Sequence, residues 1–293
     1  MAYQVLLFYK YVTIENPETV KDWVKTRASE LSLTGRVLVA EEGINGTLAG
    51  TYENTDMFAR ELLQDPRFAD IQVKTSGSEF DPFPKLSVKV RNEIVGTRFP
   101  KEVVDPRKRT APHLPPEELR AWYEQNKDFV VVDMRNDYEF RSGHFKGSIN
   151  PELENSRDLP EALRKLEPLK DKTVLTVCTG GVRCEKMSAF LLSEGFKDVY
   201  QLDNGIHGYM EKYPGKDYLG TLYTFDKRLT MDFGGEREIV GTCYKCGEKT
   251  EQYVNCADNS CHLHFLICDA CKKDDGTYCS DACEAHVRES VHA

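Results

Sequence analysis

A cysteine, two glycines and an arginine in the run C-T-G-G-V-R, Cys178 to Arg183, are the residues of this chain best suited to do chemistry. Before them Thr173 to Val177 is β-branched and apolar and predicts a buried strand. After them Cys184 to Ser193 is amphipathic, is stopped by Gly195, and predicts a helix. Gly180 and Gly181 allow backbone geometries that turn several N–H groups toward one point, a nest that stabilises an anion. The helix start adds partial positive charge and Arg183 a full one, so the Cys178 thiol is expected to ionise more readily than a free thiol. These are the surroundings of a nucleophile; the plainer alternative is an inert core cysteine in front of a glycine turn.

A second chemical set lies near the C-terminus. Of ten cysteines, eight fall between Cys243 and Cys283 as C-x2-C (Cys243, Cys246), C-x4-C (Cys256, Cys261), C-x2-C (Cys268, Cys271) and C-x3-C (Cys279, Cys283). Two tetrahedral zinc sites would use all eight thiolates, in a pairing that spacing leaves open. His262, His264 and His286 are substitute ligands on one reading and ordinary histidines on the other.

The C-x4-R spacing closes a smaller ring than the C-x5-R loop with which cysteine phosphatases hold phosphate, a size that suits sulfane sulfur. Here the chain resembles the rhodanese (sulfurtransferase) family, which implies a persulfide carried on Cys178. G-F-K-D-V-Y-Q-L-D-N-G-I, Gly195 to Ile206, is similar to the rhodanese ending, with Asn204 where glycine is more usual. V-V-D-M-R-N-D-Y-E-F-R-S-G-H-F-K-G-S-I-N-P, Val131 to Pro151, is similar to the family's other signature. Asp133 and Arg135 within it read either as a structural pair at a strand end or as part of what sets the loop's charge.

A chain of 293 residues has room for two or three domains. Its 40% hydrophobic and 30% charged residues describe a globular protein, and no apolar run is long enough to cross a bilayer, so no membrane role is expected. Met1 to Gln4 lead directly into strand-like residues without the basic lead of a secretory signal, and the cytoplasm is the expected compartment. The net charge of −9 opposes nonspecific nucleic-acid binding, but Lys85 to Arg109 carries eight basic and three acidic residues, a local balance of +5 that includes Arg107, Lys108 and Arg109.

The elements that must position this chemistry read as three units. From Tyr3 to Val90 the order β-α-β-β-α-β predicts a ferredoxin-like α+β sandwich, residues 1–95: helices follow Asn16-Pro17 to about Leu31 and span Asp56 to Gln64, and strands cover Arg36–Ala40, Gly46–Ala49, Ile71–Lys74 and Leu86–Val90. Glu41, Glu42 and Asn45 read as a solvated hairpin. Residues 96–116, rich in proline and basic side chains, read as a linker. Residues 117–220 alternate strand and helix (helices over Pro116–Asn126 and Leu159–Leu166, a strand over Phe129–Asp133), predicting a parallel sheet with helices on both faces and the Cys178 loop at a strand's carboxyl end. Residues 221–293 are a connector, with Tyr223, Phe225, Arg228 and Phe233, and the cysteine-rich zinc module.

The order of parts is more specific still. Y-K-Y-V and E-E-G-I-N-G-T in the sandwich, V-D-P-R-K-R-T-A-P-H in the linker, C-T-G-G-V-R-C-E-K in the loop and N-C-x4-C-H-x2-F-x2-C-x2-C in the tail closely resemble the rhodanese-like tRNA uridine(34) hydroxylases over nearly the whole chain. The resemblance implies an enzyme that uses dioxygen, with a separate electron donor, to place a hydroxyl on carbon 5 of the wobble uridine, with Cys178 as the essential residue and the anticodon region of tRNA as partner. Cys184, where many rhodaneses have serine, is either a second thiol beside the first or a small residue opening the helix. A persulfide-carrying sulfurtransferase and a non-catalytic binding module are the competing functions.

Overall fold

The structure is a computed structural model that describes residues 2–291. The first unit runs β1 (Tyr3–Tyr11), α1 (Pro17–Glu30), β2 (Thr34–Ala40), β3 (Gly43–Gly50), α2 (Tyr52–Leu62), β4 (Lys74–Ser78) and β5 (Leu86–Val90). α1 begins where the sequence predicts it: Asn16 Oδ1 accepts the Thr19 N–H at 3.1 Å and Pro17 occupies the first turn, where its missing N–H costs nothing. α2 starts four residues before Asp56, because Thr51 caps it by accepting the Asn54 N–H at 3.3 Å. The second helix side is followed by Ile71, which is buried in the helix-side core, so strand pairing starts only at Lys74, opposite Leu7.

The sheet has the order β4-β1-β3-β2-β5, the ferredoxin-like four plus a fifth strand parallel to β2. Strand alternation sorts its residues. Leu6, Phe8, Val37, Val39, Ile44 and Leu48 face α1 and α2 and form a core with Val24, Phe58 and Leu62. Their neighbours Leu7, Tyr9, Arg36, Leu38, Asn45 and Thr47, paired in register across β1, β3 and β2, occupy the opposite, helix-free face.

The second unit comprises β6 (His113–Leu114), α3 (Pro116–Glu124), β7 (Val130–Asp133), α4 (Asp137–Ser142), β8 (Gly143–Phe145), α5 (Leu159–Leu166), β9 (Thr173–Val177), α6 (Val182–Ser193), β10 (Asp198–Leu202) and α7 (Gly205–Lys212). Its sheet, β6-β10-β9-β7, is parallel throughout. Val132 and Val174 pack on α5 and α6 through Leu159, Met187 and Leu191, whereas Val131, Leu175 and Val177 pack on α3 and α7 through Leu119, Ile206 and Tyr209. The stretch read as a linker therefore ends inside the sheet. Val104, Ala111 and Leu114 are buried, and Gln201 Nε2 holds the Ala111 carbonyl at 2.9 Å.

The connector adds β11 (Tyr218–Gly220), paired with β8, and a hairpin of β12 (Leu222–Tyr223) and β13 (Thr230–Met231). The tail is built on the hairpin β14 (Tyr253–Asn255) and β15 (His264–Leu266) and closes with α8 (Asp281–Val291). Among the described residues no helix is long and apolar enough to cross a membrane.

The first two units are locked together through α6. Lys186 Nζ lies 2.8 Å from both Glu42 and Glu93 and also reaches the Val95 carbonyl at 3.3 Å. Tyr11 donates to the Val182 carbonyl at 3.2 Å, and Tyr9 to Glu185 at 3.1 Å. Glu42 is thus not solvated, contrary to the hairpin reading: it is 7% exposed and accepts the Ile94 N–H at 2.8 Å, because β3 starts at Gly43 and leaves only Glu41 and Glu42 in a tight turn beneath α6. Glu41 does stay in solvent, and Asn45 is drawn inward by donating to the Ile94 carbonyl at 3.1 Å.

Candidate active site and metal centres

Cys178 follows β9 directly, and the loop it opens is fastened on every side. Gly181 donates its N–H to Cys178 Sγ at 3.2 Å, and Ile206 and His207 donate to the carbonyls of Cys178 and Thr179 at 2.9 and 3.0 Å. The two loop glycines have different reasons. Gly181 has φ +103°, in the region that disfavours side chains, and a Cβ there would meet the Tyr9 hydroxyl at 2.7 Å. Gly180 has a milder one, close approach: a Cβ there would lie 2.8 Å from Leu7 Cδ2, a side-chain end that would have to shift. Both intruding residues belong to β1 of the other unit. Asn204 sits at φ +60°, a conformation asparagine tolerates, in the place where glycine is more usual.

Arg183 lies in the first turn of α6, which begins at Val182, two residues before the predicted start. Its guanidinium forms a fork with Glu139, Nη1 to Oε2 at 2.6 Å and Nη2 to Oε1 at 2.8 Å, and holds Thr179 Oγ1 at 3.0 Å. Glu139 is fully buried, and although burial alone raises its pKa, the Arg183 charge and hydrogen bonds bring it below the usual carboxylate range. Arg183 therefore arrives at the loop already paired, and its charge contributes less to Cys178 than its proximity suggests. Burial works against the Cys178 thiolate; the neighbouring Cys184 thiol, the Arg183 charge and the N-terminal backbone dipoles of α6 outweigh it and lower the pKa to about 6. Cys184 moves the opposite way, raised by burial and by its neighbour's negative charge, so Cys178 is the thiol of the pair that ionises first.

Glu139 is a residue that the reading of single motifs missed. Its signal was present, since N-D-Y-E is a capping box: Glu139 Oε2 accepts the Asn136 N–H at 3.0 Å at the start of α4. Asp133 and Arg135 resolve in favour of structure. Arg135 is fully buried, paired with Asp133 at 2.7 Å, and donates to the Gly143 carbonyl and the Tyr218 hydroxyl.

Cys178 lies at the base of a cleft of about 460 Å³ between the helix-free face of the first sheet and the reactive loop. Leu7, Tyr9, Leu38, Asn45 and Thr47 line one wall; Thr179, Gly180, Asn136, Asn155 and Phe225 line the other. Among the described residues its charged lining is Arg36, Arg157 and Arg183, with no carboxylate. In a chain of net charge −9 this is a locally cationic surface. All eight basic residues of the Lys85–Arg109 segment are exposed, but they are not equivalent: Arg107 is forked onto Asp105 at 2.8 Å and touches Thr13, while Lys108 lies 3.7 Å from the same carboxylate.

The tail cysteines form two interleaved groups, Cys243, Cys246, Cys268 and Cys271, and Cys256, Cys261, Cys279 and Cys283, with the ligand atoms of each within 4.8 Å of one another. The spacing fits zinc. Tetrahedral coordination at ~2.3 Å implies sulfur–sulfur edges of ~3.8 Å, and Cys246 to Cys268, Cys261 to Cys279 and Cys279 to Cys283 measure 3.5, 3.6 and 3.6 Å. The histidines are occupied elsewhere: His264 stacks on Tyr253 and bonds Asn255, His286 bonds Asp258, and His262 belongs to neither group.

Comparison with known proteins agrees with this organisation. Residues 3–94 match the family described as UPF0176 acylphosphatase like domain, residues 115–212 the rhodanese-like domain, and residues 219–284 the rhodanase C-terminal family. A Cytophaga hutchinsonii protein named tRNA uridine(34) hydroxylase is 41% identical over 285 residues, 97% of this chain and 90% of that one. Proteins of the same name from Bacillus pumilus (43% identical, 98% and 89% covered) and Acholeplasma laidlawii (42% identical, 97% and 90% covered) are similar to it over the same span.

Proposed function

The chain belongs to the tRNA uridine(34) hydroxylase family, and from that premise we propose that it hydroxylates carbon 5 of the wobble uridine of tRNA, with dioxygen as co-substrate, a separate electron donor, and Cys178 as the reacting group. The observation that carries this reading is the Cys178 thiol, held by the Gly181 N–H at 3.2 Å and lining a cleft whose charged lining residues, among the described residues, are all arginines. A polyanion is drawn to such a cleft, and a base unstacked from the anticodon can reach a nucleophile there. Addition of the Cys178 thiolate to carbon 6 of uracil moves the C5–C6 π electrons toward carbon 5 and the C4 carbonyl. Carbon 5 becomes the nucleophilic carbon: with dioxygen taken to the peroxide level by two electrons from the separate donor, the C5–O bond forms as the O–O bond breaks, and the second oxygen atom leaves as water. Loss of the carbon 5 proton with expulsion of the thiolate restores the ring. Arg36, Arg157, Lys108 and Arg109 are the groups we assign to phosphates of the anticodon region, and the two cysteine groups to two structural zinc ions. The cytoplasm, where tRNA is modified, is the compartment that goes with this function.

Sulfur transfer is the second reading, favoured by the N–H groups that converge on Cys178 Sγ and would equally hold a persulfide. Mass analysis of tRNA nucleosides separates the two. Cells lacking the protein should lose 5-hydroxyuridine derivatives, and the wild-type chain but not Cys178→Ala should restore them. Full modification with Cys178→Ala removes Cys178 as the reacting group; loss of thiolated uridine instead would mean sulfur transfer.

A further inference from the structure

The connector between the rhodanese-like unit and the tail contains a turn built more firmly than a connector needs. The hairpin β12–β13 is closed by Thr224 N–H to the Leu229 carbonyl at 2.7 Å. Within the turn Asp226 and Arg228 form a nearly buried ion pair, Oδ2 to Nη2 at 2.6 Å, and Asp226 Oδ1 also accepts the Arg228 N–H at 3.0 Å. The turn is then fastened to the first unit: Arg228 Nη1 donates to Ser76 Oγ at 2.9 Å and the Gly77 carbonyl at 3.2 Å, and the Lys227 N–H to the Pro82 carbonyl at 3.0 Å.

What this turn holds is Phe225, 59% exposed and among the lining residues of the cleft that contains Cys178. A single exposed phenylalanine is ordinary on a protein surface. This one is set edge-on against Tyr223, centroids 5.4 Å apart at 82°, and its ring lies 5.6 Å from the Arg183 guanidinium. Tyr223 is in turn held by Tyr138, Tyr253 and His264, so an aromatic cluster runs from the tail hairpin to the mouth of the cleft. Folding gains little from a ring left in water, whereas a rigid exposed ring beside cationic groups is the arrangement by which proteins stack nucleobases that have left a helix.

On the reading that the substrate is tRNA, we infer that Phe225 is the stacking platform for the unstacked wobble uracil, holding the ring in the cleft above Cys178 while the arginines hold the flanking phosphates. Stacking accepts any base, so Phe225 supplies affinity and orientation for position 34, and the identity of the base is read by other groups.

The test uses the full chain and two anticodon stem-loop RNAs, one with uridine at position 34 and one abasic there. The wild-type protein should bind the uridine RNA roughly 10- to 100-fold more tightly, the range alanine substitution gives for one stacked base. Phe225→Ala should lose that preference while binding the abasic RNA unchanged, and Phe225→Trp should keep it. An unchanged thermal unfolding midpoint in both variants shows that the fold around the loop is intact. Phe225→Ala weakening both RNAs equally, or neither, overturns the stacking role and leaves the tRNA reading standing. A wild-type protein that binds neither RNA overturns the tRNA reading, and the inference falls with it.

Discussion

Replacing Cys184 by alanine tests how the reactive thiol is ionised. The substitution removes the neighbouring thiol, the group that most favours the Cys178 thiolate and can donate to it, but leaves the Gly181 N–H and the Arg183–Glu139 fork in place. A hydrogen bond to a charged acceptor is worth about 1.5–3 kcal/mol, and each pKa unit corresponds to about 1.4 kcal/mol. The Cys178 pKa should therefore rise from about 6 by roughly one to two units. The thiolate fraction near neutral pH falls as the pKa rises. Cys184→Ser keeps a donor in the same place and should stay near the wild-type value. The assay is the pH dependence of Cys178 alkylation by a small reagent, followed on the peptide that carries it. The same midpoint in Cys184→Ala and wild type would refute the account and leave the backbone nest and Arg183 as the source of ionisation. Because Cys178 ionises below a free thiol, its contribution to stability is present above the free value of about 8.5. That contribution is lost as pH falls through about 6, so the stability difference between wild type and Cys178→Ala should shrink over that interval.

Lys186→Met should destabilise the chain by about 3–5 kcal/mol in denaturant unfolding near neutral pH, since it leaves Glu42 and Glu93 facing each other in the interface without their cation. Glu93 has a depressed pKa, from Lys186 and Thr97 acting against burial, so the wild-type advantage should diminish as acid protonates it; an advantage that is flat with pH would contradict the pairing. Metal analysis of protein purified without chelator should find two zinc ions per chain, and chelation should open residues 243–283 to proteolysis before the rest. Absence of metal, or native-state reaction of all eight tail thiols, would remove the zinc assignment.

Much of the site was legible because its determinants are local. A β-branched run, a glycine turn and an amphipathic run are set by neighbours in sequence, so β9, the Cys178 loop and α6 fall where they were expected to within two residues. The pairing of Arg183 was not legible: its partner Glu139 is 44 residues away, and only the capping box at Asn136 marks that glutamate as held. Glu42 read as solvated because a turn of two glutamates is normally wet; nothing nearby in sequence announces that Lys186 is delivered above it by the other unit. The 96–116 stretch read as a linker because two paired residues, His113 and Leu114, are too few to show a strand period.

By itself the sequence determined the chemistry available: a thiol at the start of a helix, eight thiolates spaced for two metal ions, and three units in a known order, since each follows from residue types over short spans. Tertiary structure alone decided what surrounds that chemistry. One wall of the cleft is the helix-free face of the first sheet, and which of its residues face Cys178 depends on how two separately folded units dock. The metal pairing has the same origin. An antiparallel hairpin puts Cys256 and Cys261 at its closed end and carries Cys268 back to its open end, where the Tyr244 N–H meets the Leu266 carbonyl at 2.8 Å. The first pair of cysteines therefore meets the third and the second meets the fourth, a choice fixed by strand direction that no spacing along the chain expresses.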